Sequence, residues 1–369
     1  MSLSIGIVGL PNVGKSTLFN AMLKRQVALA ANYPFATIEP NIGIVDLPDE
    51  RLNKLAEVVL KEFRVSPERI VPATVKFVDI AGLVEGASAG EGLGNQFLGH
   101  IKDVSAIVQV VRDFSDENVI REGSIEPKSD IEVINTELML ADLQTINSRI
   151  ERHAGVLKKE KTLENLHKQE LYLSIKVALE KGASLLSLGF SSEDLELLKD
   201  LHLLNLKPKI YVLNCDEDAV ADGTSIPSLD FLESHDSHVV KLCAKIESEL
   251  CSLSDEDRSA YMRELGLSES GLDVVIKTGF ALLGLQTYFT AGPKEVRAWT
   301  IKKGDKAPKA AGVIHTDFEK GFIKAEVFSF EDLVMYGSFK ECKARGVARI
   351  EGKDYIMQEG DVVEFRVNA

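Results

Sequence analysis

The chain has 369 residues, of which 45% are hydrophobic and 27% charged, and its formal net charge is −14. The length is enough for two or three domains, the composition is that of an ordinary globular protein, and no apolar run approaches the ~20 residues of a membrane helix. The negative charge argues against non-specific nucleic-acid binding, and we expect no sequence-specific DNA binding. Four scattered cysteines without a CxxC pair indicate reduced thiols in the cytoplasm.

Five short runs rich in β-branched residues are largely apolar on both faces, as buried parallel strands are. Most are followed by a glycine-rich or polar turn and then by a helical pattern, which indicates a parallel α/β sheet. The predicted strands are Ser4–Val8, Thr74–Ile80, Ala106–Val111, Lys209–Leu213 and His238–Leu242.

A long insertion interrupts this alternation, because no proline occurs between Pro127 and Pro208 and the apolar residues keep helical spacing. We predict two long antiparallel helices, as in a short coiled coil, the second over Leu163–Leu186. After Gly292, short strands between Gly and Lys turns indicate a small α+β module. The predicted division is a discontinuous P-loop domain (1–126 and 207–280), an inserted helical domain (127–206) and a C-terminal α+β domain (281–369).

The segment from Gly9 to Ser16, GLPNVGKS, matches the pattern G-x-x-x-x-G-K-[ST] directly after a strand and before an apolar helix. The N–H groups of such a loop and the N-terminus of its helix face a phosphate. Lys15 is expected to reach the β- and γ-phosphates, and to be solvent-accessible without nucleotide, while the Ser16 hydroxyl binds Mg²⁺. The alternative, a chance glycine-rich turn, does not explain the order of strand, loop, Lys, Ser and helix.

Two further segments fit a triphosphate site. Asp79-Ile-Ala-Gly82 ends a strand and fits D-x-x-G, in which the Asp holds Mg²⁺ through water. Thr37 is the natural second hydroxyl for Mg²⁺, the alternative being an ordinary loop threonine. The loop over Gly86–Gly94 contains four glycines and suits a segment that orders around the γ-phosphate.

Asn214-Cys-Asp-Glu217 stands where a GTPase has Asn-Lys-x-Asp. In that GTPase motif the Asp accepts two hydrogen bonds from guanine and the Lys stem covers the base. Cys215 and Glu217 replace these two residues, and the extra methylene spoils a bidentate fit worth ~1–3 kcal/mol. We therefore expect weak guanine selectivity, with Ala244 behind the base.

Five segments spread over the chain together resemble the YchF subfamily of Obg-like P-loop proteins. The resemblance implies a P-loop G-domain, an inserted helical hairpin and a C-terminal TGS domain. The segments are GLPNVGKSTLFN at Gly9–Asn20, NYPFATIEPN at Asn32–Asn41, DIAGLVEGASAGEGLGNQFL at Asp79–Leu98, LQTYFTAGPKEVRAWTI at Leu285–Ile301 and AAGVIHTDFEKGFIKAEV at Ala310–Val327.

The same resemblance implies an ATPase that prefers ATP to GTP, uses Mg²⁺ and associates with the ribosome, through its large subunit or as a whole. It places Leu83 where Ras-type enzymes have a catalytic glutamine. It also implies that Asn12 ligates K⁺, although loop structure alone explains Asn12 equally well. One position departs from the family, since Gln109 stands where the family has a histidine held to assist water attack; Gln109 is either catalytic or an ordinary, hydrogen-bonded core residue.

The sequence motifs and the family resemblance together predict the site residues. The catalytic candidates are Lys15, Gln109 and Leu83, and the metal ligands are Ser16, Thr37 and, through water, Asp79. Two alternatives stay open, a GTPase of the Obg or Era kind and a nucleotide-gated ribosome-binding adaptor with incidental hydrolysis. The nucleotide-binding candidates are Asn12, Val13, Gly14, Lys15, Ser16, Thr17, Asn214, Cys215, Glu217 and Ala244.

Overall fold

The structure is a computed structural model that describes residues 3–30, 41–80, 93–115, 126–221 and 238–368. The chain divides into two compact units, the first formed by Met1–Gly43 with Lys76–Val275 and the second by Ile44–Val75 with Ile276–Ala369. In the described part of the chain, no helix combines the length and the apolar character that crossing a membrane requires.

The strands of the described residues are β1 (Ile5–Val8), β2 (Ile42–Asp46), β3 (Ile70–Val71), β4 (Thr74–Asp79), β5 (Ala106–Asp113), β6 (Lys209–Cys215), β7 (His238–Leu242), β8 (Leu285–Ala291), β9 (Val296–Lys302), β10 (Phe322–Ser329), β11 (Arg349–Glu351) and β12 (Asp361–Val367). They form two six-stranded sheets, whose orders are β2-β4-β1-β5-β6-β7 and β11-β10-β12-β8-β9-β3.

The five strands predicted for the first sheet are confirmed, and β1 pairs in parallel with β4 and β5, as β6 does with β5 and β7. Strands β5 and β6 run two residues further than predicted, because their polar ends still pair, Asp113 with Cys215. Register places Asp79 opposite Ile7 and Gln109 opposite Val8, the last residue of β1. Both polar residues therefore flank the carboxyl end of β1, where parallel α/β sheets bind ligands.

The described residues form fourteen α-helices. Those of the first part of the chain are α1 (Lys15–Ala30), α2 (Arg51–Phe63), α3 (Leu93–Asp103), α4 (Pro127–Lys159), α5 (Leu163–Glu180), α6 (Ser192–Leu198) and α7 (Glu217–Ala221). The later ones are α8 (Ala244–Leu250), α9 (Asp255–Glu264), α10 (Gly271–Leu282), α11 (Ala307–Ile314), α12 (Thr316–Lys320), α13 (Phe330–Tyr336) and α14 (Phe339–Ala344).

The predicted helical pair is α4 and α5, joined by only three residues. Ile146 of α4 packs with Leu171 and Ile175 of α5 in one buried cluster. The second helix ends six residues earlier than the sequence pattern suggested. It stops before Gly182, whose φ of +67° is a left-handed conformation that ends helices and favours glycine.

The second unit contains an α+β module, as predicted for the C-terminal part of the chain. Strands β8 and β9 form an antiparallel hairpin, and β12 lies parallel to β8 and antiparallel to β10. Helix α11 covers one face of this sheet, because Ala310 and Ala311 are buried in a cluster with Tyr288 and Val327. The Tyr288 hydroxyl, buried in that cluster, donates a hydrogen bond of 2.8 Å to the Ala310 carbonyl.

Candidate nucleotide-binding site

The glycine-rich loop connects the end of β1 directly to Lys15, the first residue of α1. Gly14 has a φ of +97°, and a Cβ there would lie 2.2 Å from the Asn214 side chain. No other residue fits this position, since both the backbone conformation and the space require glycine. Asn12 also adopts a left-handed conformation, with a φ of +60°, which asparagine tolerates better than most residues.

Lys15 is folded back into its own loop. Its ammonium group donates hydrogen bonds of 3.1 Å to the carbonyls of Gly9 and Leu10, and the residue is only 9% exposed. The expectation that Lys15 is solvent-accessible without nucleotide is therefore wrong, because the loop's own carbonyls attract the ammonium. Burial lowers the pKa of Lys15, and the negative charge of Asp79 acts in the opposite direction.

The oxygen donors expected for Mg²⁺ are Ser16 and Asp79. Ser16 and its neighbour Thr17 are exposed in the first turn of α1. One carboxylate oxygen of Asp79, Oδ1, is buried and has no hydrogen-bond partner among the described residues, and burial raises the pKa of this carboxyl while Lys15 lowers it. A buried oxygen without a partner fits a hard cation or its water shell. Thr37 and Leu83 lie outside the described residues.

Asn214 joins the phosphate loop to the loop that follows β7. Its Nδ2 donates to the Val13 carbonyl at 3.0 Å, and its Oδ1 accepts from the Ala244 N–H at 2.9 Å. Asn214 is 5% exposed, so both bonds are buried. The side chain thus holds two nucleotide-binding candidates, Val13 and Ala244, in place. An amide NH₂ has two hydrogens, so Nδ2 can still donate one to a purine N7.

The two residues that depart from the GTPase motif differ in exposure. Cys215 is buried, and burial first, then the charge of Asp113, raises the pKa of its thiol to about 12. It therefore stays a neutral thiol, and it has no long stem with which to cover a base. Glu217 is half-exposed and accepts a hydrogen bond of 2.9 Å from the ammonium of Lys245. Its carboxylate is thus already paired with a cation at the edge of the site.

One cavity of about 510 Å³ brings most of these candidates together, a volume within the usual range of small-molecule sites. Val13, Asp79 and Gln109 are not among its lining residues. The predicted residues that line it are Asn12, Gly14, Lys15, Ser16, Thr17, Asn214, Cys215, Glu217 and Ala244.

Further lining residues escaped the sequence analysis, among them Phe114, Ser115 and Asp216. Phe114 directly follows β5, and the guanidinium of Arg112 lies 4.4 Å from the centre of its ring. Asp216 accepts hydrogen bonds from the N–H and the hydroxyl of Ser115 at 3.1 and 3.2 Å. Their position just beyond strand ends was the available signal, since ligands of parallel sheets bind there.

Gln109 is fully buried in β5. Neither its Oε1 nor its Nε2 has a hydrogen-bond partner among the described residues. The alternative expected Gln109 to be an ordinary core residue with hydrogen bonds to nearby backbone. No described residue makes such a bond with its side chain, so that expectation is wrong within the described ranges. Buried amides are normally hydrogen-bonded, and leaving one without partners costs ~1–3 kcal/mol.

A sheet in which β4, β1, β5, β6 and β7 run parallel, with a phosphate-binding loop between β1 and α1, defines the P-loop class of nucleotide-binding proteins. The chain is 50% identical over 373 residues to the ribosome-binding ATPase YchF of Bacillus subtilis and 50% identical over 372 residues to that of Escherichia coli O157:H7, with all of each chain covered. It belongs to the YchF family.

Family and structural comparisons agree with this assignment. Residues 285–368 match the YchF GTPase C-terminal family, described as "Protein of unknown function (DUF933)", and residues 4–140 match a family described as "50S ribosome-binding GTPase". The solved structure of the Schizosaccharomyces pombe YchF GTPase is similar at a TM-score of 0.88 and 36% identity, covering 99% of this chain and 97% of that one. A GTP-binding protein from Pyrococcus horikoshii, 20% identical at a TM-score of 0.60, shares the fold.

Proposed function

We propose that this chain is an ATPase that binds and hydrolyses ATP in preference to GTP and associates with the ribosome in a nucleotide-dependent way. The observation that carries the proposal is the single cavity shared by the loop around Lys15 and the segment Asn214–Glu217. The first is built for a triphosphate, whereas the second lacks the aspartate that selects guanine. The relatives named as ribosome-binding ATPases support the same reading.

The phosphates lie, in this proposal, against the N-terminus of α1. Backbone N–H groups of the loop and the positive end of the helix dipole hold the anion. Lys15 leaves its two carbonyl partners and moves its ammonium to the β- and γ-phosphates, where the acceptors are negatively charged and not neutral. Ser16, Thr37 and Asp79, the last through water, would hold Mg²⁺, which when bound neutralises the phosphate charge.

The preference for ATP follows from the base end of the cavity. Asn214 donates to a purine N7, which adenine and guanine both have, so it does not distinguish the two bases. Glu217 carries one methylene more than the aspartate of GTPases and is paired with Lys245. Its carboxylate therefore does not offer guanine the two parallel bonds that an aspartate would. Cys215 and Ala244 form the wall against which the base lies.

Hydrolysis needs chiefly positioned charge, and Lys15 and the loop N–H groups supply it. We expect slow intrinsic turnover, because Leu83 stands where a Ras-type enzyme has its water-orienting glutamine. Gln109 is our candidate for that role, since it lies beside the end of β1 and its amide has no hydrogen-bond partner in the described part of the chain. Asn12 would ligate K⁺ at the phosphates, its alternative role being to shape the loop.

We place the chain in the cytoplasm, with the ribosome, as its large subunit or as a whole, for a partner. The three-domain division stays part of the proposal, with residues 1–126 and 207–280 as the G-domain, 127–206 as the helical insertion and 281–369 as the TGS domain. The last two would supply the binding surfaces for the ribosome.

Calorimetric titration with ATP and GTP side by side, in buffer with Mg²⁺ and K⁺, tests the base preference. We expect ATP to bind at least as tightly as GTP. The variant Glu217→Asp restores the shorter carboxylate and should strengthen GTP binding while it changes ATP binding little. A tenfold preference of the parent for GTP, about 1.4 kcal/mol, would instead favour the GTPase alternative.

Phosphate release measured on the same samples tests the activity. Slow release with ATP is expected, and it should disappear in Lys15→Ala. The control Lys24→Ala removes an exposed lysine of the same helix, whose partner is the Ser248 hydroxyl, and should hydrolyse ATP at the parent rate. Tight ATP binding without any release, with or without ribosomes, would point to a nucleotide-gated adaptor.

A further inference from the structure

The tip of the helical hairpin is a firmly connected turn. Helix α4 ends at Lys159 and α5 begins at Leu163, with the Thr162 hydroxyl capping α5 by accepting from the Asn165 N–H at 3.2 Å. The Asn165 carbonyl in turn lies 2.8 Å from Nε2 of the buried His153 in α4. These bonds tie the start of α5 to the last turns of α4, so side chains at the tip project from a fixed frame.

Cations concentrate at this tip. The segment from Glu151 to Lys161 contains four Lys and Arg against two Glu, in a chain whose net charge is −14. The four cations are exposed, and in the part of the chain that the structure describes they have no ion-pair partner. Most lysines elsewhere on the hairpin do have one, as Lys168 has in Glu164 and Lys176 in Glu180. The tip therefore keeps its positive charge available.

Gly155 lies in the middle of this cationic stretch, inside α4. Apart from its own helix turn, a Cβ at this position would meet no atom of the described residues within 4 Å, so packing against them does not require glycine there. Glycine inside a helix lowers its stability relative to alanine, but it lets another molecule approach the backbone closely. Residues three or four positions apart share a helix face. We call the set Arg152, Gly155, Lys158 and Lys159 the tip face.

We propose that the tip face binds the phosphate backbone of ribosomal RNA, with the strand seated over Gly155 between Arg152 on one side and the two lysines on the other. The inference rests on the proposed association with the ribosome and assigns a contact to it. Lys158 and Lys159 also stabilise the last turn of α4 through the helix dipole. That role explains neither Arg152, two turns earlier, nor the open backbone at Gly155.

RNA fits this surface better than a ribosomal protein does. Phosphate groups are the ligands that a row of unpaired Lys and Arg recognises, and duplex RNA is bound mainly through its backbone and shape. Three apolar side chains are exposed at the tip, Leu163 by 86% and Val156 and Leu166 by 43% each. Three side chains next to four cations are a small apolar surface for a protein partner, whereas they can lie against a ribose or a base edge.

The first test uses the double variant Lys158→Ala/Lys159→Ala and deproteinised ribosomal RNA. Binding is followed by fluorescence anisotropy from 50 to 200 mM salt. We expect weaker binding than in the parent at every salt concentration, and a slope of log K against log[salt] that is shallower by about 2, one for each lost phosphate contact. ATP hydrolysis without ribosomes should not change. The matched control Lys176→Ala/Lys181→Ala removes two lysines from the other end of α5 and should bind like the parent.

The second test addresses the seat over Gly155. The variant Gly155→Gln keeps all four cations but covers the open backbone, and it should weaken RNA binding without lowering the melting temperature. Its control, Ala154→Gln, adds the same side chain at the adjacent exposed position, outside the tip face, and should leave binding unchanged. Binding of Gly155→Gln at the parent affinity would overturn the proposed seat.

Parallel co-sedimentation with intact ribosomes separates this inference from the proposed function. Two outcomes overturn the RNA contact and leave the ribosome proposal standing. In the first, ribosome association survives in the lysine double variant. In the second, it is lost in that variant although the parent shows no affinity for deproteinised RNA. In the second case the partner of the tip is a ribosomal protein. Tip-dependent binding of RNA without any ribosome association supports the contact and overturns the proposed function.

Discussion

Two buried polar side chains distinguish the phosphate end of the site. Asp79 and Gln109 both lie beside the carboxyl end of β1, opposite Ile7 and Val8. Each has at least one buried polar atom without a hydrogen-bond partner among the described residues. A protein maintains such a cost of ~1–3 kcal/mol mainly where function requires it. We propose that Asp79 accepts a hydrogen bond from metal-bound water, and Gln109 needs a separate explanation.

The prediction for Gln109 concerns hydrolysis and not binding. An amide orients water through its carbonyl but does not take up a proton, whereas an imidazole does both. Gln109→His should therefore raise the single-turnover rate of ATP hydrolysis, and Gln109→Ala should lower it by up to ~100-fold, the cost of a misplaced reactant. Nucleotide affinity, measured by calorimetry, should stay nearly constant in both variants.

Stability provides the control for this pair of variants. Gln109→Ala removes an amide that has no hydrogen-bond partner within the described ranges, so urea denaturation should show little loss of stability or a gain. Equal hydrolysis rates in both variants and the parent would show that Gln109 has no part in the chemistry. Another donor, or a partner molecule, would then have to position the water.

At the scale of elements, the site depends on one side chain that crosses between loops. Asn214 is the last residue but one of β6. Its side chain donates a hydrogen bond to the Val13 carbonyl in the phosphate loop and accepts one from the Ala244 N–H at the N-terminus of α8. Without these bonds a buried carbonyl and a buried N–H would lose their partners. The two loops are distant in sequence, so no local interaction replaces this one.

Asn214→Ala should therefore reduce both stability and nucleotide affinity. We expect a loss of ~2 kcal/mol in the free energy of unfolding, within the range for buried groups left unpaired, together with weaker ATP binding. Urea denaturation and calorimetry measure the two effects. Asn20→Ala, an exposed asparagine on α1, should change stability by less than ~0.5 kcal/mol. If Asn214→Ala were as stable as this control, the two hydrogen bonds of Asn214 would contribute nothing to stability.

At the scale of the whole molecule, charge is unevenly distributed. Residues 285–369 contain 14 Lys and Arg and 13 Asp and Glu, a net charge of +1. Because the whole chain has a net charge of −14, the other residues together carry −15. A chain with this overall charge is repelled by nucleic acid in bulk. Binding to a ribosome must therefore use local surfaces, of which the C-terminal module and the hairpin tip are the candidates.

Ribosome association should depend on the nucleotide bound. We expect this because of the family resemblance, the inserted helices and the uneven charge. The glycine-rich segment Gly86–Gly94 is predicted to order around the γ-phosphate. Co-sedimentation at low salt with no nucleotide, with ADP and with a non-hydrolysable ATP analogue measures it. Lys15→Ala is the control, and it should behave the same under all three conditions. Equal association of the parent in every state would show that nucleotide does not gate binding, and none in any state would favour a stand-alone enzyme.

Sequence alone was sufficient for the class of protein and for most of the secondary structure. The phosphate loop is contiguous, so strand, glycines, Lys15 and helix can all be read within a few turns of chain. The predicted strands were correct to within two residues because buried parallel strands are apolar on both faces. The hairpin was predictable for a similar local reason, although the end of α5 was set by a glycine that the apolar pattern did not reveal.

The tertiary structure decided which atoms are paired. Only the fold shows that Lys15 bonds its own loop, that Asn214 connects Val13 with Ala244, and that Phe114 lines the cavity. The Lys15 bonds are local in sequence, but the bond from Asn214 to Val13 and the neighbourhood of Phe114 depend on strand order and register, which bring together residues about one hundred positions or more apart. Sequence likewise does not show that Gln109 lacks a hydrogen-bond partner among the residues that the structure describes, because the cost of a polar residue in an apolar strand depends on its neighbours in the folded chain.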